Sequence, residues 1–90
     1  MSGYPSVTPR PELPEEFRFL CMLHNVGAIT SERSLTVEDI AKWTNKEPTA
    51  ISEYLQKLTE LGYVQAVKTG ETDKYHVSVT GIRKVLTLYS

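Results

Sequence analysis

Residues 47–64, EPTAISEYLQKLTELGYV, decide how the rest of this chain is read. Pro48 suits the first helical position, where its missing N–H is no loss, and Glu47 before it complements the helix dipole. Gly62 supplies the stop, because glycine accepts the left-handed backbone that closes a helix. At 100° per residue, Ala50, Ile51, Tyr54, Leu55, Leu58 and Leu61 share an arc of about 140°. Thr49, Ser52, Glu53, Gln56, Lys57, Thr59 and Glu60 fill the opposite half. One face therefore seeks a core, and the other is polar with mixed charge.

Working upstream, Thr36 to Asp39 (TVED) forms a close relative of a capping box, with Asp in place of Glu. It opens a short helix, TVEDIAKWT, that turns Val37, Ile40, Ala41 and Thr44 to one side. Asn45 follows and tolerates the left-handed turn. Ahead of it, ITSERSL is a connector that Ile29 and Leu35 can anchor, Leu35 in a short strand. A first helix starts near Pro14, with Glu15 and Glu16 in its first turn, and stops near Gly27. Phe17, Leu20, Cys21, Leu23 and His24 lie on one side of it, and Phe19, Met22 and Val26 on another. So wide an apolar arc fits a helix central to a small core, or one that also meets a second subunit. Residues 1–14 hold four of the five prolines and read as an extended, flexible arm, either a frayed tail or a functional one.

Downstream the period changes. YVQAV (63–67) and YHVSV (75–79) read as strands, the second alternating Tyr75, Val77 and Val79 against His76 and Ser78. KTGETDK (68–74) suits the hairpin tip. TGIRKVLTLYS reads as a C-terminal helix from Thr80, with Ile82, Val85, Leu86 and Tyr89 on one side.

Ninety residues make one small domain, here spanning 15–90. Apolar content of 40% and charged content of 23% are ordinary for a soluble globular chain. A single cysteine excludes an internal disulfide and a multi-cysteine zinc site. No apolar run reaches the roughly 20 residues that span a bilayer, and no signal-peptide layout opens the chain. A cytoplasmic setting is expected, nucleoid-associated if the chain binds DNA. The net charge of −1 is unusual for a nucleic-acid binder.

The order is helix, short strand, helix, tight turn, helix, hairpin, helix. SLTVEDIAKWTNKEPTAISEYLQKLTELGYV resembles the helix-turn-helix of winged-helix DNA-binding proteins, and QAVKTGETDKYHVSVTGIRKVL is similar to the wing and following helix of MarR- and ArsR-type regulators. The resemblance covers residues 15–89. It implies an α+β, mostly α, winged helix: a three-helix core, a two- or three-stranded β wing and a short C-terminal helix. It further implies a sequence-specific transcription regulator that binds double-stranded DNA as a homodimer through helix 1, the C-terminal helix or both.

In that reading helix 47–61 enters the major groove and wing 68–74 meets the backbone. Thr49, Ala50, Ser52, Glu53, Gln56 and Lys57 match the reading face. Gln56 can pair bidentately with adenine, Thr49 and Ser52 can bond bases or phosphates, and Glu53 can accept from cytosine N4. Lys42 and Lys46, with Lys68, Thr69 and Lys74 at the wing, are the backbone-contact candidates. Glu53, Glu60, Glu71 and Asp73 depart from the usual basic pattern, and Lys46 stands where an apolar turn residue is usual. The same acidic dilution supports an alternative: a winged helix that binds protein inside a transcription or replication assembly.

Other residues carry structural readings. Cys21 and His24 lie on the core arc of helix 1, Trp43 reads as half-buried packing, and His76 reads as facing outward on the wing strand. The two histidines lack neighbouring ligands at metal-binding spacing. No catalytic constellation or phosphate-binding glycine loop is present, so no enzyme activity, metal or cofactor is expected.

Overall fold

The computed structural model describes residues 13–89. The arm expected over residues 1–14 lies outside the described residues, apart from Leu13 and Pro14. Leu13 is half-buried against the core, and the Pro14 carbonyl accepts from the Phe17 and Arg18 N–H groups.

Helix α1 (Glu15–Asn25) ends at Gly27, which takes φ +91°. A 3-10 turn at Ser31–Arg33 leads through Leu35 into α2 (Val37–Thr44). The capping box is complete: Thr36 Oγ1 accepts from the Asp39 N–H, and the Asp39 carboxylate accepts from the Thr36 N–H. Asn45 then reverses the chain at φ 58°. Helix α3 (Pro48–Glu60) follows, with Glu47 as N-cap and Gly62 in the left-handed region.

Strands β1 (Val64–Thr69) and β2 (Thr72–Val77) pair antiparallel, with Val64 opposite Val77 and Thr69 opposite Thr72. The turn is only Gly70-Glu71. Positive φ falls on Gly70 and not on Glu71, the pattern of a type II′ hairpin. The tip is thus shorter than the 68–74 loop expected from sequence, and Lys68, Thr69 and Lys74 lie in the strands themselves. Leu35 adds a single antiparallel bridge to Tyr75, the remnant of a third strand. Among the described residues, four α-helices and a two-stranded sheet make the winged helix that the sequence implied.

Helix α1 packs on α3, on the C-terminal helix α4 (Val79–Leu88) and on β2, which explains its wide apolar arc. Phe19, Leu20, Cys21 and Leu23 are all buried, so both of its apolar sides are used within one chain. From α3, Ile51, Leu55 and Leu58 enter the same core. Each such side chain contributes roughly 1.5–3 kcal/mol on burial. Leu61 leaves it: at the helix C-cap it is 48% exposed.

Two expectations fail at the base of the wing. Ser78 is the N-cap of α4 (Val79–Leu88), its Oγ accepting from the Gly81 N–H at 3.0 Å. Val79 therefore begins a helix and is 68% exposed instead of ending a strand. His76 does not face outward: it is 8% exposed, with Nδ1 3.3 Å from Ser34 Oγ. The alternation disappears because the connector ahead of α2 covers the second face of β2. Ser34 already donates its one hydroxyl proton to the Ser31 carbonyl at 2.7 Å, so His76 Nδ1 is the donor in their contact.

Candidate nucleic-acid interface

The capping box fixes the start of α2, and the left-handed Asn45 sets the angle at which α3 leaves it. The first turn of α3 is consequently open: Pro48 and Thr49 are exposed. Ser52, Glu53, Gln56, Lys57, Thr59 and Glu60 continue the exposed strip, while Ala50 is half-buried at its edge.

The strip has two flanks. On one side a groove lined by Ser52, Leu55, Gln56, Thr59, Glu60, Ala66 and Tyr75 separates α3 from the sheet. Ser52 and Gln56 stand on its rim, so they face the wing side. On the other side stands the acidic first turn of α1. Lys57 Nζ lies 3.1 Å from Glu16 Oε2, and Lys46 Nζ lies 3.1 Å from Glu15 Oε2.

Lys46 explains its unusual place in the turn. Its side chain is 27% exposed, its ammonium lies 6.0 Å from the centre of the Tyr54 ring, and Glu15 takes its charge. The apolar stem thus does the packing expected of an apolar turn residue. Lys46 and then Arg18 hold the Glu15 carboxyl below the ordinary carboxylate range. Glu16 is likewise lowered, first by its own backbone N–H and then by Lys57.

At the wing, Lys68 Nζ lies 3.4 Å from Asp73, and Thr69 Oγ1 donates to the Thr72 carbonyl at 2.8 Å. Lys42 is exposed, Lys74 is half-buried, and neither has a carboxylate partner among the described residues. Three of the five candidate lysines are therefore already paired. Glu53 is not: Lys57 sits at the favourable i+4 position but pairs with Glu16 instead. Ion pairs that solvent reaches on at least one side are weak, so a phosphate can displace them.

Glu15, Glu16, Ala66 and Tyr75 border the strip but were not legible as such. The pairs that bring the two glutamates there join α1 to α3 and its preceding turn, residues distant in the chain. Trp43, expected half-buried, is 66% exposed on α2. Cys21 is fully buried, and that burial pushes its thiol up. Among the described residues, no group of three or more His, Cys, Asp or Glu is placed to hold a metal, and no helix is long and apolar enough to cross a membrane.

Comparison with solved structures finds the same architecture. The DNA-binding TubR fragment from Clostridium botulinum is 23% identical, with a TM-score of 0.70 over 81% of this chain and 91% of that one. TubR from Bacillus megaterium pBM400 is 20% identical, with a TM-score of 0.69 over 82% and 83% of the two chains. The MepR–DNA complex of S. aureus is 19% identical, with a TM-score of 0.66 over 83% of this chain but only 60% of MepR. At these identities the likeness is one of fold. No curated protein matches by sequence. A family model for the winged helix DNA-binding domain matches residues 19–81, well over half of the 90 residues. The chain belongs to the winged helix DNA-binding domain family.

Proposed function

We propose that the chain is a sequence-specific, non-enzymatic transcription regulator that reads the major groove with helix 47–61 and meets the backbone with wing 68–74. The observation that carries this reading is the open first turn of α3 standing beside an extended, lysine-bearing hairpin. Gln56, Ser52, Thr49 and Glu53 reach base edges, the Ala50 methyl meets a thymine methyl, and Lys42, Lys46, Lys57, Lys68, Thr69 and Lys74 meet phosphates. The MepR neighbour was solved with DNA, and the TubR fragment is described as DNA-binding, which supports the same role here.

The functional unit is a homodimer. Helix α1 spends its apolar arc inside the chain, so the second copy meets α4. Val79 and Leu86 are 68% and 62% exposed, and half-buried Ile82 and Tyr89 complete a stripe at spacings of three and four. Val26, 37% exposed at the end of α1, extends it: the preceding Asn25 bonds Tyr89 Oη at 2.9 Å.

Gel shifts with random and genomic duplexes at low and moderate salt test the reading. Binding that falls steeply with salt is expected, and folded protein that shifts nothing at low salt sinks it. Gln56→Ala changes sequence preference by about 1–3 kcal/mol at one base pair.

A second reading, protein contact in a larger assembly, is favoured by the 66% exposed Trp43 and the three engaged lysines. It is chosen if no duplex is bound while a stable protein partner is lost on Trp43→Ala.

A further inference from the structure

We infer that Glu15 and Glu16 are positioning residues for DNA binding: they hold Lys46 and Lys57 against α1, and a duplex engages those lysines only by displacing the carboxylates. The inference rests on the DNA-binding reading above. Its basis is that two consecutive carboxylates of one helical turn each take a lysine from the segment that carries the reading strip, both at 3.1 Å. The fold supplies the juxtaposition, since α1 packs directly on α3.

The two pairs differ in how tightly they are held. Lys57 is 61% exposed and free to swing toward a phosphate while its stem stays on α3. Lys46 is 27% exposed, lies over Tyr54 and shares Glu15 with Arg18, so it is released less readily. Glu16 thus holds the lysine that a duplex recruits more readily, and Glu15 is the more structural of the two.

The consequence appears in the salt dependence. A lysine that meets a phosphate releases close to one condensed counterion. When it must first abandon a carboxylate, the bared carboxylate takes up a cation and cancels most of that release. Binding by the native protein therefore has a shallower salt dependence than its lysines alone would give.

The test measures duplex affinity by fluorescence anisotropy from low to moderate salt for the full chain, Glu16→Gln, Lys57→Ala and the double variant. Glu16→Gln is expected to bind several-fold more tightly at low salt, with the log–log slope steeper by about 1. In the Lys57→Ala background the same substitution is expected to change nothing. A gain that persists without Lys57 is simple relief of repulsion and overturns the inference, as does an unchanged slope in Glu16→Gln. Glu38→Gln, on exposed α2, controls for the change in net charge; if it matches Glu16→Gln, the inference also fails. If none of the proteins binds a duplex, the DNA-binding reading falls and the inference with it. If the full chain binds and the variants follow the repulsion pattern, only the inference falls.

Discussion

Gly81 is the most closely surrounded glycine among the described residues, and Gly81→Ala isolates what it does. The residue lies in the first turn of α4, with no positive φ to explain the choice of glycine. The reason is space. A Cβ there stands 2.1 Å from the Tyr63 carbonyl oxygen, 2.9 Å from its carbon and 2.7 Å from Val77 Cγ1. Val77 can rotate, but Tyr63 is backbone held at both ends: its N–H donates to the Leu58 carbonyl, and its oxygen accepts from the Ser78 N–H, both at 2.9 Å. Relief requires a shift of more than about 1 Å between α4 and the segment joining α3 to β1, given ordinary carbon–oxygen contact distances.

Such overpacking costs about 1–3 kcal/mol. Weakening the Ser78–Tyr63 hydrogen bond adds about 1 kcal/mol, and alanine's better helix propensity returns at most about 1 kcal/mol. The net expectation is a loss of about 1–3 kcal/mol, which for a domain of this size lowers Tm by about 5–20 °C. Urea and thermal unfolding followed by circular dichroism measure it. Gly62→Ala provides the contrast. There nothing lies within 4 Å, but φ is +84°, so the cost comes from backbone strain alone and is about 1 kcal/mol. A Gly81→Ala protein as stable as the parent would show that helix propensity outweighs the contact, and would refute the packing argument.

Thr36→Ala removes one half of a reciprocal cap and is expected to cost about 1 kcal/mol by urea unfolding, with Thr36→Ser restoring most of it. Cys21, buried and with its thiol pushed up, should resist maleimide at pH 8 in the folded protein and react at once in denaturant. Because its folded pKa is raised, its contribution to stability holds below the ordinary value of 9.0 and is lost as pH climbs through the folded value. Glu15 and Glu16 run the other way. Their lowered pKa values contribute stability above the ordinary 4.5 that is lost as pH falls through the folded values, so Glu15→Gln/Glu16→Gln should flatten the acid limb of a stability–pH curve.

Local signals in this chain were readable because they act within a few residues. The Thr36 cap, the left-handed Asn45, Pro48 at the helix start and the stops at Gly27 and Gly62 all lie where their chemistry requires. The misreadings arise where a distant segment or a helix cap overrides the strand pattern, or where size alone is taken for burial. His76 looked outward because strand alternation assumes one dry side, whereas Ser34 covers the other side of β2. Ser78 leaves the alternation because it caps α4 and donates to the Gly62 carbonyl. Trp43 looked buried because of its size alone. The candidate strip was legible as a face, but the state of its charges was not. The i, i+4 rule pairs Glu53 with Lys57, and the fold overrides it by bringing Glu16 to that lysine.

That charge state bounds what one copy can do. Each phosphate neutralised contributes a salt slope of about 0.9, so the five candidate lysines give at most about 4 to 5 per copy. Lys46, Lys57 and Lys68 begin bound to carboxylates, and Glu53, Glu60 and Glu71 oppose the approach of the backbone. On the proposed reading a single domain is expected to bind weakly at physiological salt, and tight site recognition is expected to need a second copy that doubles the contacts through the α4 stripe. DNA titrations should accordingly be sigmoidal in protein, with dimers visible by sedimentation at the same concentrations. Leu86→Glu places a charge in the centre of that stripe on an already exposed position, so it should leave the fold intact, abolish the dimer and turn the titration hyperbolic and weak. Tight, hyperbolic binding by a monomeric Leu86→Glu protein would show that one copy suffices and that the carboxylates bordering α3 do not limit its affinity.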